Sequence, residues 1–449
     1  MIQRAENRSE ERETLGTMRG IASLSPSKCW HPKTQNNLTK QSDRKLNSNP
    51  NQIHINSSSK RVNPFPSFAI KASKTPNSPT HNPNTPPLVV VGSANADVYV
   101  EIDRLPKEGE TISAKSGETL AGGKGANQAV CGGKLSYPTY FVGQVGEDAN
   151  GKLITEALED GGVHIDHLST VSSAPTGHAV VMLQSDGQNS IIIVGGANMS
   201  CWPEILSDED LEVIRNAGIV LLQREIPDSV NIRVAKVWNL RKGLAFEEWQ
   251  RLKYFVYGNK FYRTPVLILL SAEWRKNILV SLVSVLFSVT CRVASGAGVP
   301  VILDCGGVDA PIPPELVKFI DILSPNETEL ARLTGMSTES FEHISQAVVK
   351  CHEMGVKQVL VKLGDKGSAL FIKGEEPIKQ PIISATKVLD TTGAGDTFTA
   401  AFAVALVEGK TKKECLRFAA AAASLCVQVK GAIPSMPDRK SVLDLLGSL

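Results

Sequence analysis

Acidic residues are almost missing from one stretch of this 449-residue chain. Between Met18 and Pro86 the only carboxylate is Asp43, against Arg19, Lys28, Lys33, Lys40, Arg44, Lys45, Lys60, Arg61, Lys71 and Lys74. The same stretch lacks sustained hydrophobic periodicity and is rich in Ser, Asn, Thr and Pro, so it cannot build a packed core of its own. A basic, acid-poor, Ser-rich leader has the composition of an organelle transit peptide. Its Ser and Thr content favours a plastid, with the stroma as destination, over a mitochondrion. The EERE run before Met18 spoils the pattern, which is resolved if translation starts at Met18, in MRGIASLSPS. A plain disordered tail has the same composition. Residues 1–86 are therefore expected to lie outside the fold.

Other absences narrow the function. The eight cysteines form no C-x-x-C and have no histidine cluster beside them, which argues for buried free thiols in a reducing compartment. A net charge of +2 gives no global field for nucleic acid or membrane. The apolar run ILVSLVSVLFSV, from Ile278, is too short to span a bilayer and is flanked by Arg275, Lys276 and Arg292. No G-x-G-x-x-G follows the first strand, which discounts a dinucleotide-binding oxidoreductase, and no G-K-[ST] closes a Walker A loop.

What is present, over residues 87–449, is an alternation of short apolar runs with helical patterns. LVVV, TYFVGQVG, AGIVLLQRE, VPVILDCGG, DILSPNETE and QVLVKLGDKGSALF read as buried strands; NGKLITEALEDGG and NETELARLTG read as helices. This predicts an α/β fold, a doubly wound parallel sheet with helices on both faces, with ligands at the carboxyl ends of the strands. Stretches near 97–119 and 177–195 alternate in part around Gly-containing turns, as the strands of a small β-sheet lid with one wet face would. Residues 237–292 fit nothing around them: they hold Trp238, Trp249 and Trp274 and no Asp. Removing them leaves a clean helix–turn–strand connection, so they read as an insertion in one crossover, of the kind a translated intron leaves; a small helical subdomain is the other reading.

The chemistry concentrates in DTTGAGDTFTAAFAVAL, from Asp390. Gly393, Ala394 and Gly395 let backbone N–H groups converge just before a helix whose apolar residues recur from Phe398. Glycine turn and helix N-terminus together make an anion site, and Asp396 brings a carboxylate beside it. Asp396 is then either a helix N-cap or a group able to take a hydroxyl proton next to a phosphate cradle. AGGKGANQAV supplies Gly123, Lys124 and Asn127 on one short loop, or simply a glycine turn with a surface lysine. GSANAD places Asn95 and Asp97 two apart at the end of the first strand, a pair suited to sugar hydroxyls or an Asx turn.

AGGKGANQAV and DTTGAGDTFTAAFA resemble the two signatures of the PfkB carbohydrate kinase family. GGKGANQA with GSANAD upstream is similar to the ribokinase branch, of plant plastid type, rather than to fructokinases or adenosine kinase. The resemblance runs from about Pro87 to Leu449, interrupted by 237–292. It implies ATP-dependent phosphorylation of the D-ribose 5-hydroxyl on a ribokinase-like fold. Asp396 would be the general base, with Gly393, Ala394 and Gly395 as anion hole. Asn95, Asp97, Gly123, Lys124, Asn127, Glu225 and Asp396 would hold the sugar. Asn326, Gly364 and Gly395 would face ATP, and Glu329 would help organise its magnesium. Asp390, Thr392, Cys426, Gly431 and Ser435 would surround an activating potassium ion. Lys362 stands where the family commonly has Thr. A homodimer through the lid is also implied. Two other readings stay open: a family member acting on another sugar or a nucleoside, and a catalytically inactive sugar-binding regulator whose crossover the insertion disrupts.

Overall fold

The computed structural model describes residues 85–184, 189–237, 300–307 and 310–449. The stretches read above as leader and insertion lie outside these, except for Thr85, Pro86 and Val237.

Thirteen strands are described: β1 (Leu88–Val91), β2 (Asn95–Ile102), β3 (Ser116–Gly122), β4 (Thr139–Gly146), β5 (Leu168–Val171), β6 (Gly177–Gln184), β7 (Asn189–Val194), β8 (Ile219–Gln223), β9 (Val301–Asp304), β10 (Ile322–Ser324), β11 (Gln358–Lys362), β12 (Ser368–Ile372) and β13 (Ile378–Gln380). Nine form the main sheet in the order β13-β12-β11-β10-β9-β8-β1-β4-β5. Its centre is parallel, as the continuous apolar runs require. Residues alternate strictly between two cores. Leu88, Val90, Ile219 and Leu221 pack on one face, whereas Val89, Val91, Val220 and Leu222 pack on the other. Burying each such side chain stabilises by roughly 1.5–3 kcal/mol, which fixes strand register because a one-residue slip exchanges the faces.

One face is covered by helices Lys124–Lys134, Ala394–Val407 and Lys412–Cys426. The other carries Asp208–Asn216, a helix over 228–237, Glu327–Thr334 and Phe341–Glu353. Side-chain caps hold their first turns: Ser207 accepts from Asp210 N–H, Ser340 from His343 N–H, and Thr411 and Glu414 cap each other reciprocally.

Two expectations need correction. QVLVKLGDKGSALF is not one parallel strand but a tight antiparallel pair, β11 and β12. Gly364 (φ +54°) and Gly367 (φ +93°) take left-handed conformations that reverse the chain between them. Asn95 and Asp97 do not end β1; they open β2, in a second sheet ordered β3-β2-β6-β7. The chain leaves β1 at Val91 and re-enters extended structure at Asn95. The two partly alternating stretches read as a lid thus make one four-stranded sheet, mixed in direction because β2 and β6 run parallel.

Candidate active site

The helix Ala394–Val407 starts with Gly393 at φ +78°. A Cβ at Gly393 would lie 3.0 Å from the Ala432 Cα, so the turn has no room for a side chain. The first-turn N–H groups have no helical partners and carry the positive end of the dipole. Asp396 stands in this turn, buried. Its Oδ2 accepts from Asn127 Nδ2 at 2.9 Å and its Oδ1 from Gln128 Nε2 at 3.3 Å. Burial raises the Asp396 carboxyl above its usual range; Lys124 opposes this, and the neighbouring Asp304 adds to it. Such a group is a better proton acceptor than a free carboxylate.

Lys124 opens its own helix beneath the site. Its backbone N–H donates to Glu225 Oε2 at 3.1 Å. Its Nζ lies 3.2 Å from Asp304 Oδ1 and 3.9 Å from both Glu329 Oε1 and Asp396 Oδ1. Burial alone would lower the ammonium, but these carboxylates and Glu225 hold it well above its ordinary value, so it stays charged. Gly123, at φ +89°, lets the loop pass the β1–β2 junction; a Cβ there would meet Asn95 N at 2.6 Å.

Asn95, Asp97 and Glu225 make the opposite wall. Glu225 Oε2 accepts from Ser93 Oγ at 2.5 Å and lies 3.5 Å from Asn95 Nδ2. Burial, then Glu225, then Asp396 push the Asp97 carboxyl up to about 8. One amide and two carboxyl groups thus line the same cavity, a set of donors and acceptors suited to hydroxyl recognition.

These residues line one cavity of about 950 Å³ that also takes in Gly393, Ala394, Gly395, Thr392, Asn326, Glu329 and Gly364. Its lining also includes the apolar side chains of Ile382, Ile383, Ala385, Val388 and Val427. Asn326 and Glu329 form a capping box: Asn326 Oδ1 accepts from Glu329 N at 2.7 Å, and Glu329 Oε2 from Asn326 N at 2.8 Å. That leaves Glu329 Oε1, on the Lys124 side, for work toward a ligand.

Four of the sequence-nominated residues do not line the cavity: Asp390, Cys426, Gly431 and Ser435 gather behind the glycine turn. The buried Asp390 carboxylate accepts from Thr392 N–H and Gly431 N–H, each at 2.9 Å. Cys426 Sγ is 3.9 Å from the Thr392 carbonyl and 3.0 Å from Ser435 Oγ. A buried carboxylate, a carbonyl and a hydroxyl in this group are donor types that would suit a monovalent cation.

Sequence reasoning missed several members. Asn198 accepts from Ala94 N–H at 2.9 Å and donates to Asn95 Oδ1 at 2.7 Å, fixing the wall that Asn95 belongs to; nothing in GGANMS announces it. Gln128 and Gln223 brace Asp396 from below, linked at 2.7 Å. Asp304 ends a strand like the other polar tails, so the signal was there and went unused. Lys362 reaches the same place from β11.

The chain resembles known proteins closely. The profile of the pfkB family carbohydrate kinases matches residues 86–242 and 280–439. A ribokinase of Arabidopsis thaliana is 61% identical over 432 residues, covering 96% of this chain and 99% of that protein. The structure of Arabidopsis thaliana ribokinase complexed with ribose and ATP matches with a TM-score of 0.65 at 67% identity, over 81% of this chain and 99% of that one. A Thermotoga maritima ribokinase structure matches with a TM-score of 0.60 at 32% identity, over the same 81% and 99%.

Proposed function

The chain belongs to the pfkB family of carbohydrate kinases, and we infer that it transfers the γ-phosphoryl group of ATP to the 5-hydroxyl of D-ribose, giving D-ribose 5-phosphate and ADP. The observation that carries this reading is the placing of buried Asp396 in the first turn of a helix, within one cavity with Asn95, Asp97, Lys124 and Asn127. The Arabidopsis relative, with ribose and ATP bound, supports the same substrates.

In this reading the wall of Asn95, Asp97 and Glu225 orients the sugar. Asp396 takes the 5-hydroxyl proton, late in a loose transition state. The amides of the Gly393–Gly395 turn and the Lys124 ammonium meet the charge of the moving phosphoryl group. ATP lies along Asn326 and Gly364, its base against the apolar lining of Ile382, Ile383 and Val427. Glu329 Oε1 is the group that would bear on the magnesium ion accompanying ATP, which would supply positive charge to the phosphates. Potassium would be held by Asp390, the Thr392 carbonyl, Cys426, Gly431 and Ser435, supplying positive charge behind the anion hole.

Two further proposals have their own support. Ile191, Ile192, Ile193 and Val194, on edge strand β7, are all exposed, an apolar strip that suits pairing of two copies through the small sheet; sedimentation would test it. The leader composition supports import into plastids, which a fluorescent fusion carrying residues 1–86 would test. The kinase assignment itself is tested by ADP release from ATP with D-ribose. A folded chain that binds ribose without turnover would instead be a sugar-binding regulator.

A further inference from the structure

One buried carboxylate here carries two ammonium groups. Asp304, at the carboxyl end of β9, has no solvent exposure. Its Oδ1 lies 3.2 Å from Lys124 Nζ and its Oδ2 lies 2.7 Å from Lys362 Nζ. Gly306 N–H donates to Oδ1 at 3.1 Å, and Thr399 Oγ1 to Oδ2 at 3.4 Å. Burial pushes the Asp304 carboxyl up, yet the two lysines outweigh it and hold it well below the usual range. Lys124 is shared, its Nζ also lying 3.9 Å from Glu329 Oε1 and from Asp396 Oδ1, whereas Lys362 is tied to Asp304. A largely buried lysine is costly unless it meets an anion, and its ammonium has three donors to offer one.

The position of Lys362 shows which anion it can meet. It lines the cavity beside Gly364 on one side and the glycine turn on the other. A Cβ placed on Gly395 would lie 3.7 Å from Lys362 Cδ and 3.8 Å from its Nζ. The ammonium therefore stands against the helix N-terminus, on the nucleotide side. Lys124 stands on the sugar side, 3.9 Å from Asp396. Asp304 ties the two together.

We propose that Lys362 is a second cation contacting the transferring phosphoryl group, and that Asp304 is the positioning residue that holds Lys362 and Lys124 at opposite ends of its path. The proposal rests on the kinase reading above. As transfer proceeds, the bond from the γ-phosphorus to the ADP oxygen breaks and the bond to the sugar 5-oxygen forms. The hydroxyl proton goes to Asp396, and negative charge accumulates on the ADP oxygen. Lys362 meets that charge from the nucleotide side while Lys124 meets the incoming sugar side. Asp304 acts through the lysines alone, because both of its oxygens are already committed.

The test is steady-state kinetics of the full chain with ATP and D-ribose, alongside thermal melts. Lys362→Met should lower kcat about 100-fold and leave the KM for ribose within about twofold, as loss of one preorganised charge does. Lys362→Arg, which keeps the charge, should recover most of that loss. The double variant Lys362→Met with Asp304→Asn should stay as slow as Lys362→Met. If adding Asp304→Asn restores turnover, Lys362 only neutralises Asp304 and the proposal fails. An unchanged kcat in Lys362→Met also overturns it. Should Lys362→Met not fold, Asp304→Asn decides: a fall in kcat of about tenfold with ribose KM unchanged supports positioning, and an undiminished kcat overturns it. Wild-type protein without ribose-dependent ADP release would sink the kinase reading itself, whereas active wild type with indifferent Lys362 variants sinks only this inference.

Discussion

Asn127 Nδ2 donates to Asp396 Oδ2 across 2.9 Å, so the same residue that faces the sugar wall also aims the carboxylate opposite it. With Gln128 on the other oxygen, Asp396 is held by neutral donors that fix its orientation without cancelling its charge. A base presented this way needs no rotamer search before proton transfer.

Asp396→Asn removes the proton acceptor and leaves the shape. Its kcat should fall by at least about 100-fold, with ribose affinity and melting temperature little changed. Stopped-assay rates on the purified variant check this, and a loss under about threefold would remove Asp396 from the mechanism. Because burial raises its carboxyl, the acidic limb of the wild-type kcat/KM profile should fall above the ordinary Asp range of about 4.

Asp97 makes a statement about stability. In the folded, empty site it keeps its proton up to about pH 8, whereas an unfolded chain releases it near about pH 4. Folding therefore takes up a proton between those values, and this group's contribution to stability declines as pH rises from about 4 to about 8. Asp97→Asn should gain at least about 2 °C in melting temperature over wild type near the top of that window and nothing at its bottom. The same variant should raise the ribose KM by up to about tenfold, because the amide cannot reproduce both the donor and the acceptor geometry of the carboxyl toward a sugar hydroxyl.

Asn198 touches no expected ligand, yet it holds Ala94 and Asn95. Asn198→Ala should raise the ribose KM about tenfold while kcat changes far less, and should cost about 1–3 kcal/mol of stability for the polar groups left unpaired. Denaturant titration and initial rates separate the two effects. An unchanged KM would mean that the wall is held by other contacts.

The cation proposal predicts that exchanging potassium for a bulky organic cation lowers turnover about fivefold or more, the smaller end of typical coupling between sites. In Asp390→Ala the response to potassium should vanish. Wild-type rates indifferent to the exchange would reject the cation role for Asp390.

How much of this was legible in the chain depends on the range of the interaction. The glycine turn into a helix at Asp390–Leu406 and the loop at Ala121–Val130 were readable because local conformational chemistry alone marks them. The antiparallel pairing of β11 with β12 was also marked locally, by the short LGDKG turn that is too brief for a parallel crossover, but the continuous apolar character on both sides masked it as one run. The capping role of Asn326 and Glu329 was written in the N-x-x-E spacing itself, beneath its reading as a ligand motif. The Asn198–Asn95 bond spans 103 positions and the Lys124–Asp304 pair 180; no periodicity encodes a partnership across three folded elements.

The order in which the site's parts appear along the polypeptide also matters to the cell. Every nominated residue of the sugar wall precedes Ile226, while the base, the glycine turn and the cation loop all follow Val388. The helices Ala394–Val407 and Lys412–Cys426 supply a large share of the apolar layer on their face of the main sheet. A message cut short before them would yield a chain with its sugar-recognition residues intact but that face stripped open, fit for proteolysis rather than for hoarding sugar. The helix that carries Asp396 is thus also one that covers the sheet, so the catalytic group and that layer of the core are made together.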